Sequence, residues 1–91
     1  PIVIIGREAE MRQYLETKTY VSRKHAKFTI TNGEIYIENM SSTNNTFVNN
    51  TLVPKDSPIL LKNGDEIGLG GKIINGDRQN QAAYFIVEVS V

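Results

Sequence analysis

Ninety-one residues are enough for one domain with a single, thin core and too few for two. Ten Lys and Arg balance ten Asp and Glu, which argues against a dedicated nucleic-acid binder. With no Cys and one His, neither a disulfide framework nor a thiolate or poly-His metal site can be built, and no apolar run approaches the roughly 18 to 20 residues of a membrane span. No metal, no cofactor, no nucleic acid and no membrane insertion within this segment are therefore expected. The chain opens at Pro1 without a Met and shows no basic-then-apolar leader, so it reads as one domain, residues 1–91, excised from a longer protein.

In chain order, Ile2 to Ile5 form a short apolar run that ends in Gly6-Arg7. Residues 8–20 contain no Gly or Pro; Met11, Tyr14 and Leu15 have helical spacing and, taken in isolation, read as a short helix. Ala26, Phe28 and Ile30 alternate with Lys27, Thr29 and Thr31, and a second alternating run covers 34–39. Asn32-Gly33 between them is a strong hairpin signal, because both central positions of a type I′ turn need positive φ. Asn49-Asn50 predicts a second hairpin between Thr46-Phe47-Val48 and Leu52-Val53. Ile59-Leu60-Leu61 and Glu66-Ile67-Gly68-Leu69 are further strands, with Asn63-Gly64 turning between them, and Asn75-Gly76 turns a small ribbon. In the last strand Ala83, Phe85, Val87, Val89 and Val91 are expected to face the core, with Tyr84, Ile86, Glu88 and Ser90 facing away. The sum is an antiparallel β-sandwich.

Three polar groups do not fit core packing. Arg7 comes just after the first apolar run; Ser22-Arg23-Lys24-His25 stands where a strand begins; and Ser41-Ser42-Thr43-Asn44-Asn45-Thr46 is a run of six small polar residues between apolar ones, which reads as a loop. Brought together at one sheet end, an Arg, a Ser and a Thr/Asn loop suit a phosphate: the planar guanidinium gives bidentate charge-assisted bonds, and hydroxyls, amides and backbone N–H groups take the other oxygens. Residues 1–27 hold six basic groups against three acids, a local excess that suits an anionic ligand.

Ile5-Gly6-Arg7, Val21-Ser22-Arg23-Lys24-His25-Ala26, Ser41 to Asn50, and Asn63-Gly64-Asp65-Glu66-Ile67-Gly68, in this order, resemble the forkhead-associated (FHA) domain, over about residues 2–70. The resemblance implies a β-sandwich of the SMAD/FHA type and a phosphothreonine-reading interaction module, with intracellular, cytoplasmic signalling and a Ser/Thr kinase upstream. It implies that Arg7 and Ser22 contact the phosphate, with Arg23 beside them, Thr43 adding a contact and Asn44 gripping the peptide backbone. Gly6 and His25 are structural by the same resemblance, and Asn45 and Asn49 belong to the supporting loops. For residues 8–20 it implies a loop with a short extended piece near Tyr14 and Leu15 in place of the helix. Asn45 and Asn50 stand where the family has Gly; Asn tolerates positive φ, so the loops are expected to keep their shape, with the Asn45 side chain projecting near the peptide path. The family also has one or two strands upstream of the Gly-Arg strand that do not precede Gly6 here, which leaves an edge open to pairing.

Other chemistries find less support. Gly68-Leu69-Gly70-Gly71-Lys72-Ile73 lacks the Gly-Lys-Ser/Thr of a P-loop and reads as a turn. The sequons at Asn39, Asn44 and Asn49 are by-products of an Asn- and Thr-rich composition. Ser22 and His25 lack the orienting acid and oxyanion site of a hydrolase, so no catalytic residues are expected and the chain is not read as an enzyme. The alternative function is a docking or assembly module of the same fold that works without phosphate.

Overall fold

A computed structural model describes residues 1–41 and 43–89; Ser42 of the polar loop, and Ser90 and Val91 of the expected last strand, lie outside them. Among the described residues two antiparallel four-stranded sheets form from eight strands: β1 (Ile2–Ile5), β2 (Ala26–Thr31), β3 (Glu34–Asn39), β4 (Thr46–Val48), β5 (Thr51–Leu52), β6 (Ile59–Leu61), β7 (Glu66–Leu69) and β8 (Ala83–Ile86). One sheet runs β1-β2-β3-β6 and the other β5-β4-β7-β8. Alternation puts Ile5, Ala26 and Ile37 on the inner face of the first and Ile67, Leu69 and Ala83 on that of the second. These six, with Leu15, Val21 and Leu61, make the buried cluster.

The turns obey local chemistry. Asn32 (φ 50°) and Gly33 (φ 76°) close the β2–β3 hairpin, and Asn49 (φ 50°) and Asn50 (φ 65°) close β4–β5. Asn75 (φ 50°) and Gly76 (φ 79°) turn a one-bridge ribbon between Ile74 and Asp77. Asn50 does more than turn: its Nδ2 donates to the Ile73 carbonyl and its Oδ1 accepts from the Ile73 N–H, both at 2.8 Å, so a side-chain amide takes the place of a strand neighbour.

Three expectations are corrected here. Arg12–Leu15 is one turn of helix (α1), not an extended piece. The turn inserts Leu15, fully buried, into the core and packs Met11 against it, leaving Tyr14 66% exposed. Full burial of a Leu is worth about 1.5–3 kcal/mol, and the helical turn is what places Leu15 in the core. Gly68 and Leu69 lie inside β7, as the strand expected over 66–69 has them, so the turn expected over Gly68 to Ile73 begins only beyond Leu69, with Gly70 at φ 89°. At the C-terminal end, Ala83, Phe85 and Val87 do pack toward the core, whereas Val89 is 36% exposed and its N–H is held by Asn63 Oδ1 at 2.9 Å.

In an antiparallel sandwich the C-terminal ends of β1, β3 and β7 meet the N-terminal ends of β2 and β4. Gly6-Arg7, Ser22 to His25, and Ser41 to Asn45 are therefore delivered to one end of the molecule by strands that pair directly or share the core.

Candidate functional site

Gly6 sets the spacing of the site. A Cβ built there would stand 2.3 Å from the Arg23 carbonyl oxygen and 2.7 Å from that of Ser22, so only Gly admits this approach. The contact allows two backbone bonds between the loops, Arg7 N–H to Ser22 O and Glu8 N–H to Arg23 O, each 3.0 Å. Arg7 is thereby held at the mouth of the site, and its Nε–H donates to the Val21 carbonyl. Four of the five guanidinium N–H donors remain for a ligand.

His25 is the peg beneath. It is fully buried, accepts the Ser22 N–H at Nδ1 (2.9 Å) and lies 3.0 Å from the Asn45 carbonyl through Nε2. Because Nδ1 is an acceptor, Nε2 carries the proton and donates, which fixes the neutral tautomer. Burial pushes its pKa below the usual histidine value, partly opposed by the bond to the Asn45 carbonyl.

Ser41 organises the second loop, and residue patterns gave no sign of it beyond its place at the head of a polar run. Its Oγ accepts the N–H groups of Thr43 (3.3 Å) and Asn44 (2.8 Å) and lies 2.6 Å from Ser22 Oγ. A hydroxyl has two acceptor lone pairs and one proton. With both lone pairs occupied, Ser41 must donate to Ser22. Ser22 Oγ also accepts from Asn44 Nδ2 at 3.2 Å, so its own lone pairs are filled and its proton is left to point outward. Asn39 anchors the network from below: its Nδ2 donates to Ser41 O, and its Oδ1 accepts from Ser41 N–H and from the buried Thr46 hydroxyl.

The result is an open pocket of about 430 Å³ lined by Arg7, Ser22, Arg23, Thr43 and Asn44. Lys24, Met40 and Ser41 complete its wall. All five residues singled out as ligand contacts thus share one cavity. Among the described residues lining it there is no carboxylate; Glu8 stands just outside, paired with Arg23 Nε at 2.9 Å. The polar part of the wall carries the donors of Arg7, Arg23, Lys24 and the Ser22 and Thr43 hydroxyls, a set that suits an anion.

The supporting residues fare unevenly. Gly6 and His25 join the loops that carry the pocket residues, the first through close backbone approach and the second through its two ring-nitrogen contacts. Asn45 supports the site through its carbonyl, which accepts from His25 and, at 2.8 Å, from the Gly70 N–H. Its φ is not positive, however, and its exposed side chain is not among the pocket's walls; of the two Asn that replace Gly, Asn50 alone has the left-handed backbone. Asn49 lies at the far end of β4, where its side chain ties the hairpin to Asp65 (3.0 Å) and to the Glu66 N–H (2.9 Å), so it braces the second sheet and not the pocket.

The FHA domain family model matches residues 3–70. The chain belongs to the FHA domain family. FHA domains are phosphothreonine-binding modules. An oxoglutarate dehydrogenase inhibitor of Corynebacterium efficiens is 40% identical over 70 residues, which cover 77% of this chain and 46% of that protein. The chain spans between 12% and 46% of the length of the first curated relatives it matches. Among solved structures, the FhaA FHA domain complexed with the intracellular domain of Rv3910 is 35% identical, with a TM-score of 0.62, over 76% of this chain and 71% of that one. An engineered FHA with a Myc-pTBD peptide superposes with a TM-score of 0.77 over 99% of this chain and 67% of that one; at 24% identity this likeness bears on the fold alone.

Proposed function

We propose that this FHA domain is a phosphothreonine-dependent interaction module, in which the open pocket takes the phosphate of a partner protein. The observation that carries this is the Ser22 hydroxyl: its two lone pairs are filled by Ser41 and Asn44, so it can only donate, and it does so in a cavity walled by Arg7, Arg23 and Lys24. A phosphate monoester, with a charge of about −1.5 to −2 and three acceptor oxygens, is complementary to such a set. Arg7 supplies the bidentate contact, Ser22 and Thr43 donate hydroxyls, Arg23 adds charge at the rim, and Asn44 contacts the peptide backbone beside the phosphothreonine. The mark would be written by a Ser/Thr kinase, and the domain is expected where such kinases work, in the cytoplasm.

Hydrogen bonds to a charged group are each worth about 1.5–3 kcal/mol, so Arg7→Ala is expected to weaken phosphopeptide binding roughly tenfold to a hundredfold or more. Fluorescence polarisation with a degenerate phosphothreonine peptide library, beside phosphoserine and unphosphorylated libraries, measures this. Equal affinity of Arg7→Ala and the natural sequence would remove Arg7 from the site. Equal binding of phosphorylated and plain peptides would favour docking without phosphate.

A further inference from the structure

Beside the phosphate pocket lies a second hollow of about 490 Å³, floored by Ile2, Val3, Ile4 and Ala9 and rimmed by Glu8, Glu10 and Lys24. The two cavities abut across the Glu8–Arg23 ion pair, one partner facing each, and both are lined by Lys24. The second hollow runs along the open edge of β1, whose only sheet neighbour among the described strands is β2.

That edge is part-way to pairing already. In an antiparallel ladder alternate residues turn their N–H and C=O toward the partner and away from it. Ile30 N–H donates to Pro1 O (2.9 Å), so Pro1, Val3 and Ile5 face β2, whereas Ile2 and Ile4 face outward. The outward Ile4 carbonyl accepts the Glu10 N–H at 3.1 Å, within a one-residue parallel bridge of Ile5 with Glu10. By the same alternation Ile2 turns its N–H and C=O into the second hollow. Exposed apolar side chains stand at the same place: Ile2 is 63% and Val3 37% exposed. Exposed polar backbone and apolar side chains together on a strand edge are what an added extended segment uses.

We propose that this hollow is a second subsite, in which the flank of the bound phosphopeptide lies extended along the β1 edge at Ile2. This rests on the phosphate pocket being what it is proposed to be, and continuity between the two cavities makes the ligand's own flank the occupant. Ile2 is five residues from Arg7, about 16 Å of extended chain, so a flank of about five residues reaches it. Charge sets the sequence it accepts. Glu8 is matched by Arg23, and once a phosphate is bound Lys24 is drawn to it. Glu10, which has no ion-pair partner among the described residues, is then the charge that faces the flank. Apolar residues with a basic one among them are favoured, and acidic flanks are disfavoured.

The test compares phosphothreonine peptides with a short flank, a long basic-apolar flank and a long acidic flank, on either side of the phosphothreonine. Amide shifts are tracked by NMR and affinities by fluorescence polarisation. The long basic-apolar peptide is expected to move the Ile2 and Glu10 amides, which the short one leaves in place, and to bind up to about tenfold tighter than the short one, as one or two added hydrogen bonds allow. Its preference over the acidic flank is expected to be about two- to fivefold, the scale of an exposed charge pair, and to reverse in Glu10→Lys. If long and short peptides bind alike in an Arg7-dependent way with β1 undisturbed, the subsite is wrong and the phosphate pocket stands. If no phosphopeptide binds, both fall together.

Discussion

Replacing Gly6 with Ala is expected to destabilise the domain by about 2–4 kcal/mol and to abolish phosphopeptide binding. The new methyl would sit 2.3 Å from one backbone oxygen and 2.7 Å from another, and neither belongs to a side chain that can rotate away. Overpacking of this kind typically costs about 1–3 kcal/mol. Relief by separating the loops breaks the Arg7–Ser22 and Glu8–Arg23 backbone bonds, each worth about 0.5–1.5 kcal/mol net. Separation also moves Arg7 away from Ser22, the two groups on which the phosphate is proposed to close. Chemical denaturation gives the stability and fluorescence polarisation the binding; a Gly6→Ala domain within about 0.5 kcal/mol of the natural one, the scatter of neutral surface changes, would show that the two loops can part without cost.

His25→Ala is expected to be comparably severe, at about 2–5 kcal/mol for a large-to-small change at a fully buried site. It also orphans the Ser22 N–H, although the Asn45 carbonyl keeps its bond from Gly70. The same residue makes stability depend on pH. Its folded-state pKa is lowered, by burial first, so the unfolded chain binds the proton more readily. Stability from this group is fully present above the unfolded value of about 6.5 and is lost as pH falls from there toward the folded pKa. A second proton on the ring would face the Ser22 N–H, donor against donor, so the loss falls on the loop that carries the site. Denaturation midpoints of the natural domain and of His25→Gln, which cannot titrate, should share other slopes and diverge below about pH 6.5. Parallel curves would show that His25 takes up its proton without cost to the fold.

How much of the fold and the site is legible in the residues depends on how local each cause is. The Asn32-Gly33 and Asn49-Asn50 hairpins are, because positive φ at two adjacent positions is a property of the dipeptide itself. The three polar groups that line the pocket, around Arg7, Ser22 and Thr43-Asn44, are also legible as side chains of distinct chemistry at spacings that packing does not need, whereas the choice of five residues among them rests on the family resemblance. Residues 12–15 are not: helical spacing and the family pattern disagree, and the burial of Leu15 beneath the finished sandwich decides. Ser41 and Asn39 escape notice for a related reason. Their importance lies in hydrogen bonds that exist only once the ends of β3 and β4 and the Ser22 loop are together. Asn45 shows the converse, since a position that reads as a Gly substitute has ordinary backbone and contributes its carbonyl.

The fixed direction of the Ser22 proton bears on how this module would be probed in cells. A site wired to give hydrogen bonds counts acceptor atoms as well as charge. An aspartate or glutamate put in place of the modified threonine offers two oxygens and a single charge in one plane, against three oxygens splayed about phosphorus and nearly two charges. Such acidic stand-ins would leave donors facing nothing, and a partner carrying one would behave as though the mark had never been written.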